Sequence, residues 1–132
     1  MSTEINGGCF CGAVRYRVSG PAELQLYCFC ADCRAVTGTD GYAGYMVKDE
    51  HFMRTLGTPS RYRKLSSEGR AVVRNFCAEC GSNLWGETEL GITSIAAGTL
   101  DDPSVFKPSL NVFEEQAPPW ARIPHHLHTE DT

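Results

Sequence analysis

The residues able to carry chemistry are seven cysteines in three groups: Cys9-Phe10-Cys11, Cys28-Phe29-Cys30-Ala31-Asp32-Cys33, and Cys77-Ala78-Glu79-Cys80-Gly81. In a CxC on an extended strand, residues i and i+2 face the same side, so two sulfurs can meet one ion. A CxxCG is a knuckle: the turn aims both thiolates at one point, and glycine accepts the left-handed backbone such a turn needs. Zinc takes four tetrahedral ligands. Many structural sites are closed sets of four cysteines, whereas catalytic sites use three protein ligands and keep one position open. The favoured partition therefore joins Cys9 and Cys11 with Cys77 and Cys80 in a closed site that ties the N-terminal strand to a distant one. The remaining trio, Cys28, Cys30 and Cys33, lies within six residues of one loop. Such a tripod holds an ion from one side and leaves the other side open. Four plus three accounts for every cysteine, with two Zn²⁺ expected per chain.

Four other readings compete. A histidine as eighth ligand would close both sites, with His51 and the tail histidines as candidates. An iron–sulfur cluster on four cysteines is chemically allowed, but its usual C-x2-C-x2-C and C-x4-C-x2-C spacings do not occur here. Disulfides are disfavoured by the odd count and by the CxC and CxxC spacings. In the fourth reading both metals serve only as scaffolding.

The elements that must position these groups read mainly as strands. Residues 13–18 largely alternate apolar and polar side chains, and Gly20-Pro21 ends the run with a turn. Residues 24–27 read as the returning strand of a hairpin that delivers Cys28 near the start of the first strand. Further short runs at 42–47, 60–65, 71–76, 83–85 and 92–97 are bounded by Gly, Pro, Ser or Asp. Helical signals are few: residues 32–37, closed by Gly38, and a 3₁₀ turn opened by Asp102-Pro103-Ser104. The expectation is one mostly β domain over residues 1–132, with a core at about 5–120 and an extended, loosely held tail at 121–132.

Composition sets outer bounds. A hydrophobic content of 42% and a charged content of 21% are ordinary for a globular chain. A net charge of −4 and a pI of about 5.5 leave no footprint for nucleic acid. The first eight residues are polar, and no run approaches the roughly 20 apolar residues that cross a membrane. The expected setting is the cytoplasm, without membrane or nucleic-acid partners, where thiols stay reduced and free to bind metal.

Three segments then carry a resemblance: Gly7-Gly8-Cys9-Phe10-Cys11-Gly12-Ala13-Val14-Arg15-Tyr16, Cys28-x-Cys30-x-x-Cys33-Arg34-x-x-x-Gly38, and Phe76-Cys77-x-x-Cys80-Gly81-Ser82-x-Leu84. In order and flanks they resemble the glutathione-dependent formaldehyde-activating enzyme family, also called the CENP-V/GFA domain. The resemblance implies coiled antiparallel β-sheets with two zinc sites. It implies a structural zinc on Cys9, Cys11, Cys77 and Cys80, and a catalytic zinc on Cys28, Cys30 and Cys33. It further implies a carbon–sulfur lyase that condenses formaldehyde with glutathione to S-hydroxymethylglutathione. One departure from the family pattern is Phe29, where histidine is frequent; this change alters polarity beside the open site.

A zinc with three thiolates carries about −1 by charge counting, so it is a weak Lewis acid but well suited to accept a thiol. The chemistry expected is attack of a bound thiol on an aldehyde carbon. Tyr42, Thr37 and Ser82 are nominees for handling the oxyanion or proton. If the thiol is glutathione, its carboxylates need guanidinium partners, and Arg34, Arg61 and Arg63 are the candidates. The rival classes are a zinc-stabilised binding module and the same chemistry on a different thiol adduct.

Overall fold

The computed structural model describes residues 4–130; residues 1–3 and 131–132, the start of the polar N-terminus and the end of the acidic finish, lie outside the described residues. The strands are β1 (Ile5–Gly8), β2 (Arg15–Val18), β3 (Leu24–Cys28), β4 (Tyr42–Lys48), β5 (Phe52–Leu56) and β6 (Ser60–Leu65), followed by β7 (Ala71–Phe76), β8 (Asn83–Glu87), β9 (Ile92–Ala96), β10 (Leu110–Val112) and β11 (His128–Glu130). One α-helix, α1 (Ala31–Thr37), follows β3. The fold is mostly β, as the sequence led one to expect. A three-stranded antiparallel sheet runs in the order β1-β2-β5, and an eight-stranded sheet in the order β11-β10-β3-β4-β9-β8-β7-β6. Pairing in the larger sheet is antiparallel except at one end, where β10 lies parallel to both β3 and β11.

Alternation builds the interior. On β2, Tyr16 and Val18 are fully buried while Arg17 is exposed; on β9, Thr93, Ser94 and Ile95 are all buried because both faces are covered. Tyr16 from the small sheet meets Phe52 and Trp85, with ring centroids 5.6 and 6.0 Å away, and Phe52 lies 4.7 Å from Trp85. These rings join the two sheets, and each such pair adds about 0.5–1.5 kcal/mol beyond its area burial. The Tyr16 hydroxyl pairs with Thr99 Oγ1 at 2.7 Å, which satisfies its one polar atom.

The expected hairpin between β2 and β3 does not form. Both edges of β2 are already taken, by β1 and β5, and the chain switches sheets at Gly20-Pro21 so that β3 pairs with β4 and β10. Proline cannot donate to a ladder, which makes this a natural point of departure. The consequence is functional: Cys28 is carried into the larger sheet, away from Cys9 and Cys11. Residues 121–130, part of the segment expected as an extended tail, make specific contacts. The Arg122 backbone N–H donates to Asp40 Oδ2 at 2.8 Å, Asn111 Nδ2 donates to the Pro124 carbonyl at 3.2 Å, and β11 extends the sheet.

Candidate metal centres

The first cluster is built from two turns. In one, Gly12 N–H donates to the Cys9 carbonyl and the Cys9 N–H to the Val14 carbonyl. In the other, Gly81 N–H donates to the Cys77 carbonyl and the Cys77 N–H to the Ser82 carbonyl. Gly12 and Gly81 both sit in the left-handed region (φ 82° and 80°), where a side chain would be strained. The turns bring Cys9, Cys11, Cys77 and Cys80 together, with all four sulfurs within 4.8 Å of one another. Cys9 Sγ and Cys11 Sγ are 3.7 Å apart, and Cys11 Sγ and Cys77 Sγ 3.8 Å. A tetrahedral ion with metal–sulfur bonds of about 2.3 Å has sulfur–sulfur edges of about 3.8 Å, so the donor set fits zinc. A disulfide would need about 2.05 Å.

Hydrogen bonds hold these sulfurs as acceptors. Val14 N–H donates to Cys9 Sγ at 3.2 Å. Ser82 Oγ accepts from the Phe10 N–H at 2.9 Å and lies 3.2 Å from Cys80 Sγ, which leaves its proton for the sulfur. Hydrogen bonds from the Ser82 side chain and backbone lower the Cys80 thiol to about 6. Ser82 thus serves the closed cluster and not the reaction for which it was nominated.

The second cluster comes from the end of β3 and the start of α1. Cys28 ends the strand, and Cys30 caps the helix by accepting from the Cys33 N–H at 3.3 Å. Arg34 N–H donates to the Cys30 carbonyl, and Gly38 N–H closes the helix on the Arg34 carbonyl. The three sulfurs lie within 4.8 Å of one another, and among the described residues no histidine or carboxylate joins them. Hydrogen bonds from Cys28 and Cys33 pull the Cys30 thiol far below its ordinary value, while the same contacts push Cys28 and Cys33 up. His51 stands elsewhere, in the turn before β5, with its ring against Gly20.

Two cavities flank the tripod. One, of about 210 Å³, is largely apolar and is lined by Cys28 and Cys33 together with Leu26, Tyr42, Met46 and Val72. The other, of about 270 Å³, adds Cys30, Asp32, Ser66, Glu68 and Gln116. None of Cys9, Cys11, Cys77 and Cys80 lines either cavity. Phe113 lines both, and it is the only non-glycine among the described residues with positive φ, at 55°. Such a conformation costs of order 1–3 kcal/mol and persists where the surroundings impose it.

The other nominated residues sort by geometry. Tyr42, opposite Cys28 in the β3–β4 ladder, lines the apolar cavity; its hydroxyl donates to the Ser94 carbonyl at 3.2 Å and lies 2.9 Å from Ser94 Oγ. Desolvation raises its phenol well above the ordinary value, so it stays a neutral donor. Thr37 Oγ1 is spent on the Cys33 carbonyl at 2.8 Å. Arg34 Nε donates to the Phe29 carbonyl. Arg61 and Arg63 are not brought to the tripod: they pair in register with Asn75 and Val73, on the sheet face opposite Arg74, and Arg61 bonds Glu87 at 2.9 Å. Phe29, expected to alter polarity beside the open site, is 2% exposed and packs over Gly41. It lines a different cavity with Tyr27 and Pro124: the extended segment just past β3 puts it on the side of Tyr27, away from Cys28.

Sequence reasoning missed Arg74. It lines both cavities beside the tripod, and the only earlier signal was its place two residues after Val72, on the same face of a predicted strand.

Comparison with known proteins gives the family. The family described as glutathione-dependent formaldehyde-activating enzyme matches residues 4–116. A Halomonas elongata protein, provisionally named a glutathione-dependent formaldehyde-activating enzyme, is 36% identical over 88 residues, which is 61% of this chain and 54% of that protein. The chain thus spans about half the length of that relative. A crystal structure of a Rhodobacter sphaeroides protein superposes with a TM-score of 0.55 at 18% identity, covering 75% of this chain and 92% of that one. That likeness concerns the fold. No helix among the described residues is long and apolar enough to cross a membrane.

Proposed function

The chain belongs to the glutathione-dependent formaldehyde-activating enzyme family, and from that premise we propose that it is a zinc-dependent carbon–sulfur lyase acting on a thiol/aldehyde adduct such as S-hydroxymethylglutathione. The single observation behind this reading is the asymmetry of the clusters: four sulfurs gather in one, while three gather in the other beside two cavities. In this reading Cys9, Cys11, Cys77 and Cys80 hold a structural zinc, and Cys28, Cys30 and Cys33 hold the second. Zinc on three thiolates would bind a thiol at its open position and favour its thiolate form.

The chain's own residues supply the rest. Leu26, Met46 and Val72 keep water from the reacting carbon. The Tyr42 hydroxyl, held neutral by its surroundings, would have to turn from the Ser94 carbonyl to donate to the oxygen that was the carbonyl. In the forward direction the carbon–sulfur bond forms and the thiol proton ends on that oxygen; in reverse the adduct releases thiol and aldehyde. The thiols of the cytoplasm stay reduced, which suits both clusters, so we place the protein there.

The test is the rate of hemithioacetal formation from labelled formaldehyde and a thiol, followed by NMR exchange. Zinc-loaded protein should accelerate it, and Cys33→Ser should lose the acceleration while keeping its fold. Equal rates with and without the folded protein, for every thiol tried, would leave a binding module.

A further inference from the structure

We infer that Arg74 is the anion anchor of the second site and that the site's substrate is an adduct of a thiol with an apolar body and a single carboxylate. The inference rests on the reading of Cys28, Cys30 and Cys33 as the reactive centre, and it narrows the substrate of that centre.

Arg74 sits on β7 opposite Tyr62 and Gly86, and Gly86 lies opposite Ser94 on the next strand. A glycine followed by a serine leaves a trough across the sheet beside the arginine. A Cβ built on Gly86 would meet nothing closer than 3.7 Å, so space and not close backbone approach marks this position. Among the described residues Arg74 is the only charged one lining the apolar cavity, and it also lines the polar one.

Arg34, Arg54, Arg63 and Arg74 have no ion pair among the described residues, and of these four Arg74 alone lines the cavities beside the tripod. Arg15, Arg17, Arg61, Arg70 and Arg122 each meet a carboxylate. Among the described residues the Arg74 guanidinium meets none, although it is half-buried beside the tripod. A guanidinium in an apolar setting is a fork for one carboxylate, held by two parallel hydrogen bonds. It also offsets the charge of about −1 that a zinc on three thiolates would carry, which would otherwise repel an anionic substrate.

The count of charges selects the ligand. Glutathione brings two carboxylates and an ammonium. The acids of the polar cavity are already engaged, Asp32 with Lys64 and Glu68 with Arg70, each through a hydrogen bond. One carboxylate and the ammonium of glutathione would therefore stay unmatched. A compact monocarboxylate thiol matches its one charge and places its alkyl body against Leu26, Met46, Val72 and Val112.

The test uses the full zinc-loaded chain, wild type and the variants Arg74→Gln and Arg74→Lys, with formaldehyde and three thiols: mercaptohexanoate, mercaptohexanol and glutathione. In wild type, kcat/KM for mercaptohexanoate should exceed that for the other two by about tenfold or more. Arg74→Gln should remove that preference through KM, Arg74→Lys should restore part of it, and both should keep two zincs per chain. Equal preference in Arg74→Gln, or wild-type preference for glutathione, overturns the anchor. So does loss of zinc together with an equal loss for all three thiols, the mark of mere charge balance. Calorimetric binding of hexanoate separates this from the reaction itself. Hexanoate bound by wild type and not by Arg74→Gln, without turnover of any thiol, supports the anchor and sinks the lyase. Turnover without carboxylate preference does the reverse.

Discussion

The two cysteine clusters use the same ligand atom for opposite ends. The first joins sulfurs 66 residues apart, Cys11 to Cys77, and fixes the small sheet's turn against the knuckle after β7. The second gathers its sulfurs between residues 28 and 33, so it ties together no distant parts of the chain. What it gains is position: it stands at the meeting point of β3, α1 and Phe113, with a cavity on either side. A crosslink between distant segments constrains the unfolded chain, whereas a local tripod constrains little and here stands half-buried beside two cavities.

The largest expected effect would break that contrast if it failed. Structural zinc contributes of order 10–16 kcal/mol in small domains, against a net stability of about 5–15 kcal/mol. Cys77→Ser should therefore lose cooperative unfolding altogether, as seen by circular dichroism and thermal melts. Cys33→Ser should lose one metal ion and keep a sharp transition. Similar damage from both would mean that the clusters are equivalent.

The second effect sharpens the chemical side. Tyr42→Phe removes the hydroxyl that the proposed mechanism turns toward the substrate, and turnover should fall about a hundred- to a thousandfold with stability changed by about 1 kcal/mol. Because the Tyr42 phenol is raised, activity should not fall as pH passes the ordinary tyrosine value. A drop there in the pH–rate profile would place the ionising group elsewhere.

The smallest effect belongs to the core behind the closed cluster. Burial pushes the Tyr16 phenol up from 10 to about 12. The unfolded phenol ionises first, so the stability this group contributes is complete below pH 10 and is lost as pH rises toward 12. The loss is about 3 kcal/mol, measurable as a falling denaturation midpoint alongside tyrosinate absorbance. A flat midpoint across that window would show Tyr16 less buried than described.

The clusters were legible because their information is local. A CxC, a CxxCG and a CxCxxC each declare which sulfurs converge, and α1 followed from Asp32 to Gly38 in the same way. The placement of everything around them was less legible, because it depends on strand register and on which sheet a strand joins. β2 and β3 look like a hairpin until β1 and β5 claim both edges of β2; β1 itself, Ile-Asn-Gly-Gly, has no alternation to announce it. Arg61 and Arg74 are neighbours in the β6–β7 ladder, offset by one residue in register, and that single residue puts them on opposite faces. Phe29 was misplaced for the same reason, one residue from Cys28.

The most direct measurement is zinc X-ray absorption on the fully loaded chain, before and after addition of a thiol. Four and three protein sulfurs average 3.5 per zinc, and the account expects that average to rise towards four as thiol enters the open position. An average already at four without thiol, and unchanged by it, would contradict the open centre on which the proposed function rests.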